Sequence, residues 1–314
     1  YLVECATNLK QIEIPDGVEF IAVSAFIECS SLEDITIPGS VRGIHYSAFA
    51  ECTSLKKIVI KDGVKAIYSH AFGNCTSLSE IVIPQGTTIY SLAFAGTKWL
   101  SEMQKKDPIV VVNSQIIDVS ACEGDVIIPN TVNTIHSNTF SQMNNITSIT
   151  IPNSVKNIDN YAFSSCKSLE KATIDEGCTD IGDHAFSYCE KLKTVDLPSS
   201  ISEINEGAFY GCESLTDITI PENVTEIRES AFSNCYALEK VKLYNKVKTI
   251  GKSTFSYCEK LTNIELPKSL TDIGQNAFYK CTSLETIKIP SNVDTIGVSA
   301  FSHCEKLSNV TISN

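Results

Sequence analysis

Thirteen cysteines, five histidines and two aspartates one repeat apart are the residues of this 314-residue chain with the most chemistry in them. Thiols in number can build a disulfide framework, a metal centre or a nucleophile. Ten of them, Cys29, Cys52, Cys75, Cys166, Cys189, Cys212, Cys235, Cys258, Cys281 and Cys304, occupy one slot of a 23-residue repeat, which makes a column of side chains facing the same way. Column neighbours come within disulfide range of each other, but parallel side-chain vectors deny the bond its dihedral. Metal binding needs convergent ligands at short spacing, and the sequence has no Cys-x-x-Cys. The column is therefore read as buried thiols acting as small hydrophobes. Cys178 fits this reading, because it stands where other repeats place Val155 or Val224. Cys5 and Cys122 lie off the column and are the two expected to reach solvent.

His45, His70, His136, His184 and His303 fall in solvent-facing slots of separate repeats, so no Ser-His-Asp or Cys-His arrangement follows. Asp196 and Asp217 come closest to a catalytic pair, being carboxylates on consecutive strands where general acid and base groups could meet. Ordinary solvated positions explain them equally well. The expectation is no catalytic residue, no metal and no cofactor, with a polysaccharide-active enzyme of the right-handed β-helix kind as the remote alternative.

The elements that carry these residues are set by the repeat. Phenylalanine returns at Phe26, Phe49, Phe72, Phe140, Phe163, Phe186, Phe209, Phe232, Phe255, Phe278 and Phe301. Aligned on it, the template reads Cys-x-x-Leu-x-x-Ile-x-Ile-Pro-x-x-Val-x-x-Ile-x-x-x-Ala-Phe-x-x, shown cleanly by Leu215, Ile218, Ile220, Pro221, Val224, Ile227, Ala231 and Phe232. Ile-x-Ile is a short strand with alternate side chains inward. Nine of the ten prolines share the next slot, where a missing amide donor ends a strand without breaking the ladder. Val-x-x-Ile makes the second wall, and Ala-Phe-x-x-Cys fits a tight helical or 3₁₀ turn. A fixed period of this length means a solenoid, in which each coil buries its apolar face on its neighbours. One elongated domain, residues 1–314, of about 13 coils is expected.

This motif resembles the 23-residue leucine-rich repeat of BspA-like surface proteins, over essentially Leu9 to Ile312. The resemblance implies a leucine-rich-repeat solenoid with short parallel inner strands. It also implies a secreted or surface-attached bacterial protein that adheres to host matrix or to other cells, with no catalytic residues to carry over. Free thiols would suit an oxygen-poor habitat.

Between coils 1–95 and 129–314 the pattern lapses at residues 96–128. Thr97 to Lys106, with the only tryptophan at Trp99, fits a short amphipathic helix ended by Asp107-Pro108. Ile109 to Val112 and Gln115 to Val119 then form a hairpin turning at Asn113-Ser114. A staple between two sub-arrays and a protruding binding edge are the two readings of this insertion.

Composition narrows the function. Apolar content of 43% excludes disorder, no apolar run is long enough to span a bilayer, and a formal charge of −12 with scattered Lys and Arg lacks the footprint of nucleic-acid binding. The contact set belongs to residues flanking the inward pair of each inner strand: Thr194 and Asp196, Asp217 and Thr219, Lys240 and Lys242, Asn263 and Glu265, Thr286 and Lys288. These positions are polar and lack aromatic anchors. A second candidate is the turn side, where Tyr188, Tyr210, Tyr236, Tyr257, Tyr279 and His303 gather. A binding or adhesion module for a surface protein or glycan is expected, with a passive spacer as the alternative. Without polar caps at either end, end-to-end self-association or missing flanking coils are expected too.

Overall fold

Valine and isoleucine at alternate positions hold the chain extended for a few residues in every coil, because β-branched side chains favour a pleated, half-buried backbone. The structure, a computed structural model, describes residues 9–312. The chain divides into two compact units, Tyr1–Ala121 and Cys122–Asn314.

In the first unit, strands Gln11–Glu13, Asp34–Ile37, Lys57–Ile60 and Glu80–Val82 pair in parallel in that order, with Ile12, Ile35, Ile58 and Ile81 in register. A second wall of two-residue strands, Phe20–Ile21, Gly43–Ile44, Ala66–Ile67 and Thr88–Ile89, runs parallel as well. The second unit repeats the scheme, and its inner wall falls into three hydrogen-bonded groups. Gly124–Ile127, Ile146–Ile151, Lys171–Ile174 and Thr194–Asp196 form one, Asp217–Thr219, Lys240–Lys242 and Asn263–Ile264 another, and Thr286–Ile289 with Asn309–Ile312 the last.

The third wall is built of turns. Around Phe209, the Ala208 and Tyr210 amides donate within the coil to Asn205 and Gly207 at 3.2 and 2.9 Å, while the Phe209 amide donates to the Ala231 carbonyl of the next coil at 2.9 Å. The bonds inside the coil have the i to i−3 spacing of a 3₁₀ turn. They cannot propagate as a helix because residues two before and two after each Phe take positive φ, as Ser230 at 56° and Asn234 at 60° do about Phe232. The phenylalanines stack within each unit, with Phe26, Phe49, Phe72 and Phe94 at 5.0 to 5.5 Å and Phe140 to Phe301 at 4.9 to 5.6 Å between ring centroids.

The cysteine column runs beside that stack, and its members do more than fill space. Cys212 donates its S–H to the Phe186 carbonyl at 3.2 Å, Cys235 to Phe209 at 3.3 Å and Cys258 to Phe232 at 3.3 Å. Each such carbonyl also accepts the backbone amide of the cysteine in its own coil, as Phe209 does from Cys212. A thiol therefore ties a coil to its predecessor where an alanine could not. Two cysteines differ from expectation. Cys122 is buried, 1% exposed, because it sits inside the second unit's first coil. Cys29 is disulfide-bonded; the vector argument that bars bonds within the column does not bar a sulfur outside it. Cys5 lies outside the described residues.

At the end of the first unit stand helix Lys98–Gln104 and antiparallel strands Val110–Val112 and Gln115–Asp118. Thr97 caps the helix by accepting the Leu100 amide at 3.1 Å. Asn113 and Ser114 turn the hairpin with φ of 51° and 63°, the pair of positive angles that suits a two-residue hairpin. The pair packs down on the last coil. Leu100, Val110 and Ile117 join the first unit's core, and Trp99 meets Phe94 edge-on at 5.2 Å. The Gln115 side chain accepts the Ile89 amide at 3.1 Å and donates to the Thr87 carbonyl at 2.8 Å, and Asn113 donates to the Pro84 carbonyl at 2.8 Å. Side-chain amides thus supply the partners that another coil's backbone would offer to Thr88–Ile89.

Candidate functional site

All ten residues expected to form the contact set are exposed on the inner wall of the second unit. All but Glu265 stand on paired strands: Asp217 is opposite Lys240 and Thr219 opposite Lys242, and Lys240 in turn opposite Asn263. The structure does not make one continuous face of them. Among the described residues no backbone hydrogen bond joins Thr194–Asp196 to Asp217–Thr219, and strand pairing lapses again between Asn263–Ile264 and Thr286–Ile289. The residue before each lapse is Leu197 or Leu266 in the second inward slot. Both are half-buried, whereas Ile151, Ile220 and Ile289 in that slot are buried. Leucine alone does not cause the lapse, since Leu243 in the same slot is half-buried too and its strand Lys240–Lys242 pairs on both sides.

An open groove lies at each lapse. The first, about 480 Å³, is lined by Thr194, Asp196, Asp217 and Thr219 together with Glu176, Ser199, Glu222 and Tyr244. The second, about 840 Å³, takes Asn263, Glu265, Thr286 and Lys288 with Asn292, Asn309 and Thr311. Lys240 and Lys242 lie on the strand between. Lys240 sits 3.9 Å from Asp217, and the Lys242 ammonium stands 4.8 Å over the Tyr244 ring. Asp196 accepts from Thr173 at 3.3 Å and lies 3.9 Å from Lys171. Each aspartate is thus answered by a lysine one coil away, an exposed arrangement worth little in stability. Glu176 accepts the Ser199 amide at 3.0 Å and its hydroxyl at 2.8 Å, and the amide bond followed by the hydroxyl holds its carboxyl below the usual range.

Tyr244 corrects the expectation that this side of the chain lacks an aromatic. It occupies a proline slot, so a residue that usually ends the strand is replaced by a ring turned to the groove. The signal was in the sequence, since Tyr244 is the one aromatic among the slots without proline, the others described being Lys61 and Asp175.

The turn-side tyrosines are brought together as expected. Tyr188 meets Tyr210 edge-on at 5.2 Å, Tyr257 meets Tyr279 at 5.5 Å, and Tyr279 meets His303 at 5.2 Å. Asn234 donates to the Tyr210 hydroxyl at 2.7 Å. Burial, then the neighbouring Tyr188, raises the pKa of Tyr210. The histidines serve packing: His45 stacks on Tyr68 at 4.9 Å, His184 on Tyr161 at 5.1 Å, and His136 reaches Asp159 at 3.2 Å. Sequence reasoning did not single out a ladder on the first unit's second wall, Phe20, His45, Tyr68 and Tyr90, of which Phe20 stands one residue before the Ile of its coil and the others one residue after. Among the described residues no group of three or more His, Cys, Asp or Glu converges as metal ligands do, and no helix is long and apolar enough to cross a membrane.

A period of 23 residues, parallel inner strands, a turn wall of stacked phenylalanines and an exposed polar face define a leucine-rich-repeat protein. The chain belongs to the BspA type leucine rich repeat region family, which it matches over residues 3–121, 120–239 and 225–314. Among solved structures it is similar to a leucine-rich repeat protein from Bacteroides ovatus ATCC 8483, at 26% identity and TM-score 0.52, covering 94% of this chain and 78% of that one. It is also similar to a leucine-rich repeat protein from Eubacterium ventriosum ATCC 27560, at 22% identity and TM-score 0.55, over 87% and 82% of the two chains. A leucine rich cell surface protein from Faecalibacterium prausnitzii A2-165 matches at 27% identity and TM-score 0.47 over 98% of this chain and 88% of its own. No curated protein matches the sequence.

Proposed function

We propose that the chain is a non-enzymatic binding module of a bacterial cell-surface or secreted protein, and that the inner wall of its second unit holds a protein or glycan ligand. The observation that carries this reading is the row of ten exposed polar side chains, nine of them on paired strands and eight of them lining two grooves. Rigid elements that present groups free of packing duty are what a recognition surface requires. Hydroxyls, amides and carboxylates alternate with Lys240, Lys242 and Lys288, so the ligand is polar and engaged by hydrogen bonds, with Tyr244 as its one aromatic contact. A carboxylate pair for hydrolysis is the weaker reading, because Asp196 is engaged by Lys171 and the Thr173 hydroxyl, and Asp217 by Lys240.

The test is capture of host matrix proteins, mucins and glycans from an array by the wild-type chain and by a variant carrying Lys240→Glu, Lys242→Glu and Lys288→Glu. Binding that the variant loses supports the reading; equal binding by both removes the inner wall from it.

A further inference from the structure

Two tyrosine pairs on the turn wall of the second unit share one geometry three coils apart. Tyr188 stands two residues after Phe186 and meets Tyr210 at 5.2 Å with ring planes 69° apart; Tyr257 stands two after Phe255 and meets Tyr279 at 5.5 Å and 67°. The second pair already holds a cation. The Lys280 ammonium sits 4.8 Å from the Tyr257 centroid and 5.8 Å from that of Tyr279, within the reach of a cation over an aromatic face. The first pair does not, because the residue that corresponds to Lys280 is Gly211. Both residues have positive φ, 58° for Lys280 and 70° for Gly211, so the backbones match; the Tyr188 ring lies against Gly211, with its Cδ1 3.0 Å from where a Cβ would stand, and it must shift slightly to admit a side chain. Among the described residues no lysine or arginine is seated over Tyr188 or Tyr210, and Tyr188 is 48% exposed.

We propose that Tyr188, Tyr210 and Gly211 form an open seat for a primary ammonium or guanidinium group, and that its occupant is a basic side chain of a partner protein. Lys280 on Tyr257 is the built-in copy of the bound state. The surroundings favour a cation. Glu190 and Glu213 follow the column cysteines of the two coils concerned, and Tyr236, one coil on, is flanked by Glu213 and Glu259. Of the basic residues at this edge, Lys167 is engaged by Glu190 at 2.8 Å, and Lys191 follows Glu190 in an exposed position. The chain's net charge of −12 draws a basic partner toward it from solution. This seat is separate from the inner-wall residues and does not rest on their role.

The experiment uses the whole chain and a fluorescein-labelled tetralysine peptide, followed by fluorescence anisotropy. Gly211→Lys should fill the seat from within, as Lys280 does at its own pair, and weaken binding about fivefold, the scale of one exposed cation–ring contact. Thr76→Lys adds the same charge on an exposed position of the first unit and should weaken it less than twofold. Tyr188→Leu removes the ring while keeping apolar bulk at a positive-φ position that Leu92 already shows to be tolerated, and should match Gly211→Lys. Lys280→Gly should open the second seat and double the stoichiometry. Equal losses in Gly211→Lys and Thr76→Lys would reduce the effect to net charge and overturn the proposal, as would unchanged binding in Tyr188→Leu.

Discussion

Burial of the column thiols from Cys189 to Cys304 makes them poor acids and poor nucleophiles. Removal from water disfavours the thiolate, and it pushes Cys235 up to about 12, Cys304 to about 11 and, off the column, Cys178 to about 11, from an ordinary value of 9.0. Between pH 9 and 12 the unfolded chain therefore loses protons that the folded chain keeps. Stability should be level in this respect below pH 9 and fall as pH rises through that window, which thermal melts followed by circular dichroism from pH 7 to 11 would show. The same burial predicts that Ellman's reagent reacts with Cys189, Cys212, Cys235, Cys258 and Cys281 only after unfolding. That the column is buried could be read from its spacing. The S–H bonds to Phe carbonyls could not, because they join residues 26 apart whose approach depends on the stacking of coils. Positive φ was equally hidden at Glu51, Leu92 and Tyr188, residue types that do not announce it. At Leu92 the side chain is 44% exposed, so Leu92→Gly relieves backbone strain at little packing cost and should stabilise the chain by about 1 kcal/mol in urea titration.

An element of this fold is a coil, and it is stable only through its neighbours. Phe209 is fully buried between Phe186 and Phe232, and Phe209→Ala should cost about 3 to 5 kcal/mol, measured by denaturant unfolding. The helix and hairpin at residues 96–128 answer the complementary need, an end to the stack. Their type was legible in the sequence from Trp99, Met103 and the Asn113-Ser114 turn. Their task was not, since it is carried by Gln115 and Asn113, polar residues of a kind found in any loop. Gln115→Ala leaves the Ile89 amide and Thr87 carbonyl without their partners, so it should destabilise the first unit by about 1 to 3 kcal/mol and speed hydrogen exchange at Ile89 more than at Ile44. Unchanged exchange at Ile89 would show that the side-chain amide does not act as the cap.

At the scale of the molecule, the repeat makes a scaffold and its irregularities make the candidate sites. The inner wall lapses after Thr194–Asp196 and after Asn263–Ile264, where the grooves open, Tyr244 replaces a proline, and Gly211 leaves a ring pair without a cation. The contact set was legible because strand alternation dictates which side chains face out. Its division into two grooves was not, because it follows from how far each strand extends. The central claim is that these outward residues bind. The most direct measurement is surface plasmon resonance of the wild-type chain, Tyr244→Ala and Lys288→Glu against arrayed matrix proteins, mucins and glycans. The account expects the wild type to capture at least one of them and one groove variant to weaken that capture about tenfold or more, which would also locate the ligand. A wild type that captures nothing, or three chains that bind alike, would contradict it and leave the solenoid as a spacer.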